Sequence, residues 1–335
     1  MDSAVRRNKR EPSITIISHR GASGHRPEHT LGSYELGARH GGDFIEIDLV
    51  STSDGHLIAR HEPEIGGTTD VAEHPEFADR RTTRTIDDRE RTGWFAEDFT
   101  LAEIKTLRAT ERIPDIRPDN TGHNGAYEIP TLQEIIDLAG KLTAELGRRV
   151  GIYPETKHPA YHASIGLELE PPLIAALHGN GLAGPEPRVP VFLQSFERES
   201  LAKLRETELP LVFLMGTQEH WRPFTTPDGL AEVASFADAI GPAKDLVIGR
   251  GPEGTLGEPT SLVDDAHAAG LLVHPHTFRS ENRFLPADLH SGADPTAYGS
   301  FAAEYEEFFA AGVDGVFTDH SRHAFLAREI FLEGD

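Results

Sequence analysis

Phe44-Ile45-Glu46-Ile47-Asp48-Leu49-Val50-Ser51-Thr52-Ser53-Asp54-Gly55-His56-Leu57-Ile58-Ala59-Arg60-His61 is the stretch that decides the fold. Its first run alternates carboxylates with aliphatic residues, and period-two geometry puts Glu46 and Asp48 on one face and Ile45, Ile47 and Leu49 on the other. Ser53-Asp54-Gly55 is a turn signal, so the run at 57–61 folds back antiparallel on 44–50. Similar apolar or β-branched runs occur at 14–17, 150–155, 191–194, 211–215, 271–274 and 313–318, with a weaker one at 238–240. Together these make nine strands. Removing the hairpin return leaves eight parallel ones separated by helical patterns such as 132–146 and 261–269.

Eight alternating β and α units in 335 residues give the expected fold class, α/β, a TIM (β/α)8 barrel. Residues 62–125 break the alternation: they are polar, rich in Arg, Asp and Thr, and hold one good amphipathic stretch at 101–107. They read as a small inserted segment after the second barrel strand, over one end of the barrel. Residues 218–229 read as a long irregular loop. The expected organisation is an N-terminal tail over 1–13 and one domain over 14–330.

Charge and composition exclude several partners. Thirty-two Lys and Arg against 55 Asp and Glu leave a net charge of −23, the wrong sign for nucleic acid or for stable association with an anionic membrane. The absence of cysteine excludes disulfides, thiolate metal sites and thiol nucleophiles. The first apolar run, 14–17, is too short for a signal-peptide core or a membrane span. The sequence as it stands therefore reads as cytoplasmic, or as periplasmic or secreted if a leader was removed.

Barrel enzymes carry catalytic groups at the C-terminal ends of their strands. The first strand ends in His19-Arg20-Gly21, an imidazole and a guanidinium beside a residue that lets the backbone approach a ligand. On its own this is an ordinary polar loop. Glu46 and Asp48 facing a barrel interior would repel each other without a cation between them, and carboxylate oxygens suit Ca²⁺ or Mg²⁺. Tyr153, Glu155 and Lys157 share one face of the next barrel strand, adding a third acid and a cation. His61, Gln194, His274 with His276, and Asp319 close other strands. The His25 and His29 spacing argues only weakly for zinc. Carboxylates, histidines, one arginine and one lysine form the set used in metal-assisted phosphoryl transfer. A glycosidase needs only two carboxylates.

These residues resemble a known family. His19-Arg20-Gly21-Ala22-Ser23-Gly24 with Pro27-Glu28-His29-Thr30, then Glu46-Ile47-Asp48-Leu49, Asp54-Gly55, His61, Tyr153-Pro154-Glu155-Thr156-Lys157 and Phe317-Thr318-Asp319 are similar in order and spacing to glycerophosphodiester phosphodiesterases. They look most like the bacterial periplasmic, calcium-dependent type. The resemblance implies hydrolysis of glycerophosphodiesters, small molecules such as glycerophosphocholine, to sn-glycerol 3-phosphate and an alcohol. It further implies Glu46, Asp48 and Glu155 as ligands of a divalent cation, Ca²⁺ preferred over Mg²⁺. His19 and His61 become the acid/base pair, with Arg20 beside them in catalysis. Arg20 and Lys157 become phosphate ligands, and Gln194, His276 and Phe278 contribute to the substrate pocket. Two departures stand out: His276 replaces the aromatic usually found before Thr277, and Thr318-Asp319-His320-Ser321 replaces an aromatic followed by Pro. Two rivals are a phospholipase D of the sphingomyelinase type acting on lysophospholipids, and a catalytically silent binding protein on the same barrel.

Overall fold

Strands buried on both faces leave their backbone groups no partner except another strand, and the short apolar runs of this chain are buried in that way. In the computed structural model, which describes residues 14–184 and 187–334, β1 is Thr15–Ser18, β2 is Phe44–Ser51 and β3 is Leu57–Ala59. The later strands are β4 (Gly151–Thr156), β5 (Leu193–Ser195), β6 (Leu211–Met215), β7 (Ala239–Pro242), β8 (Leu272–Val273) and β9 (Gly315–Thr318). The expected 1–13 tail lies outside the described residues.

The lateral order is β8-β7-β6-β5-β4-β2-β1-β9, every pairing parallel. Backbone bonds from Asp314 N to Val273 O at 2.9 Å and from Phe317 N to Pro275 O at 3.1 Å join the ends, so the eight strands close into the expected barrel. β8 is shorter than the run that announces it because Pro275 has no N–H to extend the ladder. β3 pairs antiparallel with β2, Leu49 opposite Ala59 and Ser51 opposite Leu57. Gly55 takes a φ of 79° in the connecting turn.

Between sheet and helices lies the main core. The helix Leu132–Leu146 buries Leu132, Ile135, Ile136, Ala139 and Leu142, starts on a Thr131/Glu134 capping box and stops at left-handed Gly147. Inside the barrel a smaller apolar cluster of Ile17, Tyr153, Val212, Ala239 and Phe317, flanked by Phe44 and Phe192, forms a floor. Two residues further along the same strands stand His19, Glu155, Leu214 and Asp319, and Glu46 and Gln194 follow Phe44 and Phe192 in the same way. Period two thus stacks a largely polar layer on an aromatic one.

Two expectations need correcting. The segment 62–125 is not merely polar: Ile65, Val71, Phe77, Phe99, Ile104 and Leu107 bury themselves with Val50, Ile58 and Ile129 in a core of their own. Ile104 and Leu107 belong to the amphipathic stretch at 101–107, but Val71 and Phe77 are carried on short 3-10 turns and Ile65 and Phe99 on irregular backbone, where no helical or strand period exposes them. The expected loop at 218–229 is a 3-10 turn, Glu219–Thr225, followed by the helix Pro227–Val233, which Thr226 caps. Pro227 at its first turn supports that helix instead of breaking it. Among the described residues no helix is long and apolar enough to cross a membrane.

Gly21 turns the chain after β1 at a φ of 86°, and a Cβ there would lie 2.5 Å from the Ser33 carbonyl carbon. Gly55 also has a positive φ, but a Cβ would meet nothing within 4 Å. Gly55→Ala should cost about 1 kcal/mol, the left-handed term alone. Gly21→Ala should cost about 2–4 kcal/mol, because backbone must also move. Urea denaturation checks this, and equal costs would contradict the packing described.

Candidate active site

His19 leaves the end of β1 with its Nδ1 2.6 Å from Asp319 Oδ1, at the end of β9. Asp319 also accepts from Arg117 Nη2 at 2.7 Å and Arg279 Nε at 2.8 Å. Burial opposes ionisation of this carboxyl, but Arg279 and Arg117 win and hold it well below the usual carboxylate range. His61, just beyond β3, repeats the arrangement: its Nδ1 is 2.5 Å from Glu62 Oε1, and Arg112 grips both Glu62 oxygens. A carboxylate on Nδ1 orients each ring and directs proton exchange to Nε2, which in both histidines has no hydrogen-bond partner among the described residues. Burial, helped by Arg20, brings the His19 pKa down to about 4. Burial with Arg20 and Lys157 brings His61 down to about 3. Both imidazoles are neutral at pH 7.

The three carboxylates sit in the polar layer, all buried. The β2–β4 register puts Asp48 directly beside Glu155. Glu46 accepts from the Arg20 backbone N–H at 2.7 Å and from Gln194 Nε2 at 3.2 Å. Asp48 Oδ2 accepts from His29 Nε2 at 2.9 Å and lies 3.4 Å from Arg20 Nε. Lys157 Nζ is 2.8 Å from Glu155 and 3.8 Å from Asp48. Burial and the Asp48 charge push the Glu46 carboxyl well above its ordinary value. Burial pushes Glu155 up too, against the pull of Lys157. Asp48 goes the other way: despite burial, the Lys157 charge and the hydrogen bond from His29 hold it well below its ordinary value.

Arg20 and Lys157 thus leave part of the negative charge uncompensated, and two raised carboxyls register it. This set is compatible with a hard divalent cation, since its candidate donors are carboxylate oxygens and the buried Gln194 Oε1 beside them has no partner among the described residues. Among the described residues, His29, Glu46 and Asp48 bring candidate metal-ligand atoms within 4.8 Å of one another. His29, however, is engaged at both nitrogens, Nδ1 to the Tyr34 hydroxyl at 2.7 Å and Nε2 to Asp48. It orients Asp48, the outer role that a ligand carboxylate commonly receives.

His19, Arg20, Glu46, Asp48 and His61 line one cavity of about 100 Å³. Glu155, Lys157, Gln194 and His276 line the same cavity. Phe278 is a correction: its ring is fully buried, stacked on Tyr305 at 5.0 Å and edge-on to Phe308, so it belongs to the core and cannot reach a ligand. Phe196, Leu214 and Phe317 supply the apolar wall instead. Sequence reasoning gave no role to the partners Glu28, His29, Glu62, Arg112 and Arg117. Glu62 adjoins His61 and could have been found by asking what orients that ring. Arg112 and Arg117 come from the inserted segment, where no period points to the site.

Two carboxylate-oriented histidines, an arginine, a lysine and three buried acids around one cavity at a barrel mouth are a set suited to cleavage of phosphate esters, and the class is a phosphoric diester hydrolase on a (β/α)8 scaffold. The glycerophosphoryl diester phosphodiesterase family matches residues 19–323, and the chain belongs to that family. A glycerophosphodiester phosphodiesterase of Arabidopsis thaliana is 36% identical over 323 residues, 90% of this chain and 82% of that protein. A putative glycerophosphoryl diester phosphodiesterase from Silicibacter pomeroyi shares the fold at a TM-score of 0.66 and 21% identity, covering 96% of this chain and 95% of that one. A phosphodiesterase from Oleispira antarctica, solved with the product sn-glycerol-3-phosphate, aligns at a TM-score of 0.59 and 19% identity over 95% and 97% of the two chains.

Arg112 binds two carboxylates, Glu28 and Glu62; although burial opposes it, Arg112 with Arg20 holds Glu28 well below the ordinary range, and His61 with Arg112 does the same for Glu62. A carboxyl with a depressed folded pKa stabilises the fold above its unfolded value, about 4.3, and loses that contribution as pH falls through the folded value. Stability should therefore fall as pH drops below about 4. Arg112→Met should cost about 2 kcal/mol at pH 7 and flatten the acid limb. Denaturation midpoints at pH 7, 4 and 3 test this, and an unchanged acid limb in the variant would contradict it.

Proposed function

We propose that the chain hydrolyses glycerophosphodiesters to sn-glycerol 3-phosphate and an alcohol by histidine acid/base catalysis, as one catalytic domain over 14–330 with an insertion at 62–125. The observation that carries the reading is the presence of two carboxylate-oriented histidines on one cavity with three buried acids.

Arg20 and Lys157 bind the phosphate oxygens. One histidine takes a proton through Nε2 from the glycerol 2-hydroxyl or from water, and the new P–O bond forms. The bond to the departing alcohol breaks as the other histidine, protonated from solvent once the phosphate anion is bound beside it, protonates the alkoxide; where the 2-hydroxyl attacks, the same pair then directs water at the resulting cyclic phosphate and opens it to sn-glycerol 3-phosphate. Glu46, Asp48 and Glu155 would hold a divalent cation, with Ca²⁺ the first choice and Mg²⁺ also suited. When bound, the cation supplies charge neutralisation at the phosphate. His276 and Gln194 contact the glycerol side. The wall neighbouring the site is largely charged, with Glu28, Glu111, Arg112, Arg117 and Arg279, which disfavours a lysolipid.

Phosphorus NMR with glycerophosphoethanolamine should give glycerol 3-phosphate with Ca²⁺ or Mg²⁺ present and none after chelation. A cyclic phosphate from lysophosphatidylcholine, or no turnover at all, would overturn the reading. His19→Ala and His61→Ala should each lower kcat by about 10²–10⁴-fold without loss of fold. Because one histidine must be neutral and the other protonated while burial depresses both in the free enzyme, kcat/KM should trace a bell whose limbs lie on the acid side of the ordinary histidine value. A limb centred on the ordinary histidine value of about 6.5 would contradict the site's electrostatics.

A further inference from the structure

A second cavity, of about 140 Å³, adjoins the first, and the two share His19 and Arg20 as a common wall. In-line displacement at phosphorus puts the entering and leaving oxygens on opposite sides. With the glycerol 2-hydroxyl as the entering oxygen, a phosphate held at the shared wall sends the departing alcohol away from the glycerol. The cavity with the carboxylates suits glycerol, because Gln194 Oε1 and His276 Nδ1 are buried there without partners and can meet hydroxyl groups. The second cavity is then left for the alcohol.

Its wall is charged, yet most of the charge is already spoken for. Arg112 is bound to Glu28 and Glu62, and Arg117 to Glu281, Asp319 and the Ser23 carbonyl. Glu28 accepts from Arg20 and Arg112, and Asp319 from His19, Arg117 and Arg279. Arg279 differs. Only its Nε is engaged, on Asp319, and among the described residues neither terminal nitrogen has a hydrogen-bond partner. Its guanidinium carbon lies 4.9 Å from the Phe284 ring centroid, which covers the aromatic face a quaternary ammonium would need. Glu111 also lines the cavity, but both of its oxygens are taken, by the Ile113 N–H at 2.9 Å and by Asn120 Nδ2 at 2.9 Å, so what the cavity offers a ligand is one unused two-pronged cation.

We infer that this second cavity is the subsite of the departing alcohol and that Arg279 selects head groups carrying a carboxylate. The inference rests on the phosphodiesterase reading above and adds a specificity to it. A carboxylate accepts both terminal nitrogens of Arg279 in the bidentate geometry that guanidinium favours, whereas a trimethylammonium group finds neither a free acid nor an open ring.

Glycerophosphoserine and glycerophosphoethanolamine differ by a single carboxylate and isolate the effect. With Ca²⁺ or Mg²⁺ present, wild-type kcat/KM should favour the serine diester by roughly tenfold or more, the worth of a charge-assisted hydrogen bond. Arg279→Gln should bring the ratio close to one, and Arg279→Lys should keep part of it, since it retains the cation and loses the fork. The ethanolamine diester reads any loss transmitted through Asp319 to His19, which cancels in the ratio. If Arg279→Gln does not fold, the wild-type ratio and the Arg279→Lys decrease carry the test. Equal turnover of both diesters by the wild type, or a serine preference that survives Arg279→Gln, overturns the subsite while leaving the phosphodiesterase reading intact. Turnover of neither diester overturns both.

Discussion

Burying Glu46, Asp48 and Glu155 in one layer of a closed barrel is the constraint around which the molecule is arranged. Removing ionised carboxylates from water costs several kcal/mol each even after relaxation, and like charges add to that cost. The chain answers with geometry: the β2–β4 register sets Asp48 beside Glu155, Arg20 and Lys157 lean in from the adjoining strand ends, and His29 and Gln194 hold two of the acids in place. Beneath them, Tyr153 stacks on Phe192 and turns its hydroxyl to His274 at 2.9 Å. That floor excludes water from below and confines access to the barrel mouth.

The acidic layer is linked to both histidines through paired charges. Glu28 accepts from Arg20 and Arg112, Arg112 also grips Glu62, and Glu62 orients His61. On the opposite side, Arg117 and Arg279 meet on Asp319, which orients His19. The inserted segment therefore does more than cover the barrel: it delivers Glu62, Arg112 and Arg117. Its own apolar core, built around Phe77 and Phe99, makes that delivery rigid. A charge of −23 over the whole chain is consistent with an anionic substrate because cations concentrate where the phosphate would sit.

Legibility from sequence followed locality. The barrel was readable because strand periodicity and the Ser53-Asp54-Gly55 turn are local signals, and that turn reduced nine strands to eight. Glu46, Asp48, Glu155 and Lys157 were readable because alternation along one strand puts them on one face. His29, Arg112 and Arg117 were not, since their roles arise from contacts across long sequence separations within irregular backbone. Phe278 failed for a related reason. The resemblance implied it for the pocket from its place in the run 274–279, but beyond β8 that run is irregular backbone and its ring packs on Tyr305 and Phe308 in the core.

The claim on which the rest depends is that the acidic layer is completed by a divalent cation. Anomalous scattering from crystals soaked in Mn²⁺ tests it most directly. The expected result is one strong peak bounded by Glu46, Asp48 and Glu155, absent in crystals of Asp48→Asn. The absence of a peak there, with Lys157 still bonded to Glu155, would contradict it.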